Sequence, residues 1–305
     1  MEELTAFNCD MDIHQRYQSS MSKFWRVAWL SVCLLAALAT PAAARNTQCE
    51  NSNPQRNAYF GDLHVHTALS ADAVGYDVTA RPDDAYRYAF EGYILLPPLD
   101  AAGRPTRRHE TPRTLDFMAV TDHAETLGEV GICTNKAAPE YESELCQIMR
   151  TSAGTNPWKL VQSIISPFPR RDKEVCGSDL KRCTAERSRL WQETQDAAER
   201  WNAPCEHTAF VAYEYSSFRL GSNLHRNVIF RSDVVPDDPI SHVDAPHDYE
   251  LWEGLAAGCL DAGTGCDVLA IPHNMNISNG RMFSLNYPGA WTRASKAEMA
   301  RAHAA

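Results

Sequence analysis

The feature that most constrains this chain is the run Gly61-Asp62-Leu63-His64-Val65-His66-Thr67. Side chains on a strand alternate faces with period two, so His64 and His66 project to one side and can close on a single cation. Further ligand-type residues stand at the ends of other apolar runs: His123 after 115–120, Glu214 after 209–213, His225 before 227–230 and His273 after 267–271. Asp72 follows the first run at a Ser-Ala turn. Such a distribution demands a fold that gathers several strand ends at one place.

The apolar runs alternate with helical patterns. Pro82 followed by Asp83 and Asp84 opens a helix through Phe90, with proline early and acids in the first turn. Residues 184–201 carry Leu190, Trp191, Thr194, Ala197, Ala198 and Trp201 on one side, with Thr184 as the cap, and 249–259 also read as helix. Residues 97–112 read as a turn-rich excursion and about 125–183 as a Cys-rich insertion. Strands alternating with helices predict an α/β architecture with a largely parallel sheet. Parallel barrels carry their active sites at the C-terminal strand ends, where most of these polar residues lie.

The net charge of −10 and the absence of a dense basic block argue against nucleic acid as a partner. Lys23 and Arg26, the apolar stretch 27–39 and the small residues 41–44 form a signal-peptide pattern over 21–44. Residues 1–20 then read as a non-native or disordered extension and 45–57 as an N-terminal arm. The apolar stretch is shorter than the roughly 20 residues a membrane span needs. The expectation is export to the periplasm or the extracellular space, with no stable membrane anchor after signal cleavage. Eight cysteines follow Arg45, an even number that reads as disulfides in an oxidising compartment. Cys133 with Cys146, Cys176 with Cys183 and Cys259 with Cys266 are the natural pairs, with connectivity left open. A thiolate zinc site is the alternative, and no C-x-x-C supports it.

The ligand-type set mixes imidazole with carboxylate, which suits zinc, manganese or iron better than calcium. No His-Glu-x-x-His helix, Gly-x-Ser-x-Gly elbow or Walker loop is present, which argues against zincin, serine-elbow and P-loop chemistry.

Gly61 to Thr67 with Ser70 and Asp72, and Ala119-Val120-Thr121-Asp122-His123, resemble the first two motifs of the polymerase and histidinol phosphatase (PHP) superfamily. Tyr59 to Thr67, Leu115-Asp116-Phe117, His225-Arg226-Asn227-Val228-Ile229-Phe230 and Ile271-Pro272-His273-Asn274 are more closely similar to a secreted bacterial family within it, domain of unknown function 3604. The resemblance covers about 59–279. It implies a distorted (β/α)7 barrel holding up to three divalent metal ions at the C-terminal strand ends. Under it His64 and His66 match the first ligand pair, Asp72 the ligand shortly after, and His123 the ligand of the second motif. Glu214 matches the bridging carboxylate, and His225 and His273 the two later histidines. Asp122 would orient an imidazole or the strand end. The superfamily's late Asp-x-His has no counterpart, His303 being the sole histidine after Asn279, so a partial barrel over 58–305 is expected.

The activity this implies is hydrolysis of a small-molecule substrate, a phosphate ester, by two or three ions that activate water. Glu214 and Asp122 would serve the centre, and Arg226 is a candidate anion clamp because its planar fork suits phosphate. The alternatives are a catalytically inactive metal-binding or interaction fragment and a hydrolase of a non-phosphate bond.

Overall fold

The run before the histidine pair folds as β1 (Gly61–Val65). The computed structural model describes residues 49–50, 52–151, 170–218 and 221–283; the expected extension and signal peptide at 1–44, part of the insertion, and His303 lie outside them. The chain divides into Met1–Ser52 and Asn53–Ala305, and every element named below belongs to the second unit.

After β1 come the short α1 (Ala71–Gly75) and the expected helix α2 (Pro82–Glu91). Asp84 accepts the Arg81 backbone N–H at 2.9 Å, and Gly92 ends α2 in the left-handed conformation at φ 80°. The stretch read as turn-rich is instead a hairpin of β2 (Tyr93–Leu99) and β3 (Pro105–Glu110). Among the described residues its two strands pair only with each other, so each is an edge, and an edge tolerates Pro97 and Pro98 where a central strand would not.

Next are β4 (Phe117–Val120) and the helices of the insertion, α3 (Leu127–Thr134), α4 (Glu144–Thr151) and α5 (Lys173–Cys176). The expected disulfides all form: Cys133–Cys146 joins α3 to α4, Cys176 of α5 bonds Cys183, and Cys259 bonds Cys266. Cys49 and Cys205 are also disulfide-bonded.

The long helix α6 (Lys181–Trp201) starts one turn before Thr184. Thr184 does not cap it; its hydroxyl donates to the Leu180 carbonyl at 3.2 Å. Cys183, buried in the first turn, ties the start of α6 to α5. The apolar face falls where the periodicity puts it. Leu190, Trp191, Thr194, Ala197 and Ala198 are buried, with Trp191 edge-on to Tyr213 at 5.7 Å.

The rest of the fold is β5 (Thr208–Phe210), β6 (Ala212–Ser217), β7 (Leu224–Phe230), α7 (Asp248–Leu255) continued by a π-helical turn, Ala256–Leu260, and β8 (Val268–Pro272). Strands β1, β4 and β5 form a parallel sheet, as expected, but β6, β7 and β8 form an antiparallel one. Only residues 218–223 join β6 to β7, too few for a parallel crossover. The two sheets meet where β4 runs on beside β6: Glu214 N–H donates to Asp122 O and Ala124 N–H to Glu214 O, each at 3.0 Å. Tyr86 of α2 braces the parallel side, donating to Phe210 O at 2.8 Å and accepting the Val120 N–H at 3.3 Å. No closed barrel forms among the described residues, and none of their helices is long and apolar enough to cross a membrane.

Helices α3 and α6 approach so closely that a Cβ on Gly128 would lie 2.2 Å from the Cys183 carbonyl oxygen. Glycine in a helix interior ordinarily costs up to about 1 kcal/mol relative to alanine. Here the sign should reverse. Gly128→Ala is expected to lower the urea midpoint of the oxidised protein by an amount equivalent to about 1–3 kcal/mol, read by tryptophan fluorescence.

Candidate metal centre

Strand direction puts the candidate ligands at one end of the fold. β1 and β4 deliver His64, His66 and His123 at their C-terminal ends, and Glu214 lies on β6 beside His123. β7 runs the opposite way, so His225, its second residue, reaches the same end, opposite Ser216. β8 turns back again, and His273 just beyond it donates its N–H to His225 O at 3.2 Å.

The convergence point is the Glu214 carboxylate, whose side chain is 1% exposed. His64 Nε2 and His66 Nε2 lie 3.0 and 2.8 Å from its Oε2. His225 Nδ1, His273 Nε2 and His123 Nδ1 lie 2.7, 3.3 and 3.5 Å from its Oε1. Asp72 stands at the rim, 3.0 Å from His66 Nδ1 and 3.6 Å from His123 Nε2. All seven candidate ligands therefore line one cleft of about 330 Å³, with Asn274 as the remaining lining residue.

Three overlapping triads offer donor atoms within 4.8 Å of one another: His64/His66/Glu214, His66/Asp72/His123 and His123/Glu214/His225. Glu214 serves two triads and has two oxygens, as neighbouring cations that share a carboxylate require, whereas His66 and His123, each also in two triads, have one lone pair for one cation. His225 Nε2 is buried with no hydrogen-bond partner, an atom that a cation or bound molecule would satisfy. The donor set therefore fits divalent ions. Glu129, Cys176 and Cys183 also cluster, but the Cys176–Cys183 disulfide removes both thiolates.

Residues 53–304 match the family described as Protein of unknown function (DUF3604). The chain belongs to this family. No curated protein and no solved structure matches it.

In this family member Asp122 and Arg226 fall outside the donor cluster. Asp122 is buried and accepts the Thr67 N–H at 2.6 Å and the Thr67 hydroxyl at 2.7 Å. It pins the exit of β1, next to His66. Burial pushes its pKa up to about 6 against the Thr67 hydrogen bonds. Arg226 projects from the opposite face of β7 to its neighbour His225 and is fully buried. Its guanidinium donates to Asp248 at 2.9 Å, Leu224 O at 2.9 Å and Met282 O at 3.2 Å. It is a structural cation, and the expected anion clamp is corrected.

Two residues that sequence reasoning missed position the ligands. Ser216 Oγ donates to Glu214 Oε1 at 3.0 Å and is hydrogen-bonded to His123 Nδ1. A hydroxyl has one proton, so His123 Nδ1 is the donor to Ser216, and Nε2 is left for a cation beside Asp72. The signal was the Glu-x-Ser spacing, which puts both side chains on one strand face. Asn227, two residues beyond His225, donates from Nδ2 to Leu63 O at 2.8 Å and ties β7 to β1.

The charges are tightly linked. Burial alone would raise the Glu214 pKa, but the positive charge of His123 and hydrogen bonds from His225, His273 and His64 hold it well below the usual range. Burial works against the His66 cation, yet its hydrogen bonds to Asp72 and Glu214 raise it to about 10. His123 is likewise raised to about 9, its burial outweighed by the Glu214 charge and the Asp72 hydrogen bond. For His225 burial prevails and the pKa falls.

A divalent cation binds neutral imidazole, so it must displace the protons that His66 and His123 hold at neutral pH. Both pKa values are raised, so the competition persists above pH 6.5 and fades only as pH rises through about 9 to 10. Calorimetry of zinc binding to metal-free protein at pH 7, in buffers of different ionisation enthalpy, should show net proton release and an affinity that climbs with pH. Binding that is independent of buffer would contradict this charge assignment.

Proposed function

We propose that this chain is an exported metal-dependent hydrolase of phosphate esters, with two or three divalent ions (zinc, manganese or iron) held on a PHP-like barrel framework. The observation that carries the reading is the buried Glu214 carboxylate with five imidazoles around it and Asp72 at the rim. Strands that present every donor at one end are what an open portion of such a barrel would supply. Disulfides throughout the described cysteines fit an oxidising compartment.

Charge supports a phosphate substrate. Two divalent ions against the carboxylates of Glu214 and Asp72 leave two positive charges in the cleft, which matches a phosphate monoester dianion. Bound ions would supply Lewis acidity, lowering the pKa of water and neutralising charge that develops on phosphoryl and leaving oxygens.

The chain's own residues do the rest. Glu214 faces separate imidazoles with each of its oxygens and would bridge two ions. His64, His66, His225 and His273 would fix those ions, and Asp72 with His123 would take a further one. Ser216 orients His123, and Asp122 holds the β1 exit through Thr67.

The test is elemental analysis of the purified, disulfide-intact protein beside His64→Ala/His66→Ala and Glu214→Gln, followed by turnover of an aryl phosphate. Roughly two or three ions per chain are expected, falling in both variants, with activity reduced at least about 100-fold. Metal without phosphatase activity would favour hydrolysis of another bond, and a folded protein without metal would sink the enzyme reading.

A further inference from the structure

Asn274 is the cleft's one lining residue that is not of ligand type. It directly follows His273 and holds the left-handed backbone conformation at φ 55°, which asparagine tolerates better than most residues. Its backbone is fixed on both sides: His273 N–H donates to His225 O at 3.2 Å, and Asn274 O accepts the Ile277 N–H at 3.1 Å. Its side chain, by contrast, makes no hydrogen bond among the described residues. Asparagine at the start of a helical turn commonly caps it, yet Asn274 makes no side-chain cap bond to Met275–Ile277.

The need for a donor at this place follows from the other lining groups. The imidazole lone pairs and the Glu214 and Asp72 oxygens are committed to cations when the centre is loaded, and Arg226 is buried against Asp248. The Asn274 NH2 on the cleft lining is then a neutral donor beside the N–H that each metal-bound imidazole keeps. We propose that Asn274 is a substrate-binding residue whose carboxamide donates to a non-bridging phosphoryl oxygen of the bound ester. This inference rests on the phosphoesterase reading and deepens it.

The probe is inorganic phosphate, titrated by calorimetry into the purified, metal-containing protein and into Asn274→Gly and Asn274→Asp. Glycine keeps the left-handed backbone without the amide, and aspartate replaces the donor with an anionic acceptor. The glycine variant is expected to retain its metal content and unfolding midpoint while its phosphate Kd rises about tenfold or more. The aspartate variant should bind more weakly still, and the KM for an aryl phosphate should rise in the same order. Wild-type affinity in Asn274→Gly would overturn this inference and leave the proposed function standing. Failure of the wild-type protein itself to bind phosphate would overturn the phosphate-ester reading and this inference together.

Discussion

A carboxylate shut away from water is costly unless charge and hydrogen bonds replace its hydration. Glu214 sits in the middle of a buried strand, and what replaces water around it comes from five imidazoles carried by four separate stretches of chain. Each imidazole must therefore arrive at the same point, and the sheet order delivers them. Without those imidazoles, β6 would carry an unpaired charge into the core.

The gathering depends on strand direction as much as on residue type. Parallel β1 and β4 bring their histidines to the C-terminal end, where β6 carries Glu214. The reversal at β7 lets a histidine at the start of a strand join histidines that follow the ends of others. Cross-links at the junction then set the spacing. Asp122 grips Thr67, Asn227 reaches the β1 carbonyl of Leu63, and Ser216 joins His123 to Glu214.

The insertion supports this arrangement from outside. Arg171 donates to the Glu125 carbonyl at 3.2 Å and to buried Glu129 at 2.8 Å, so it holds the chain two residues past His123. Glu125 accepts the Ser216 and His242 N–H groups, each at 2.9 Å, and links that segment to β6. Disulfides at Cys133–Cys146 and Cys176–Cys183 fasten α3, which carries Glu129, and α5, which follows Arg171. The scaffold around the cleft is thus strapped by covalent bonds and by a buried ion pair.

Much of the site was legible in the sequence because its signals are local. The His-x-His spacing, the polar residues at strand ends, the apolar face of α6 and the near-neighbour cysteine pairs all depend on periodicity or short loops. What stayed hidden depends on partners far away in the chain. The β2–β3 hairpin is built through prolines that local preference reads as turns. Arg226 looks like an anion clamp until alternation along β7 turns it toward Asp248. The antiparallel half of the fold, the role of Ser216 and the free carboxamide of Asn274 were likewise decided by tertiary structure. By itself the sequence determined which side chains could meet at a cation, because face and spacing are properties of a single strand. Only the packed sheets decided which of them meet and which turn away, because that depends on the direction and register of strands distant in sequence.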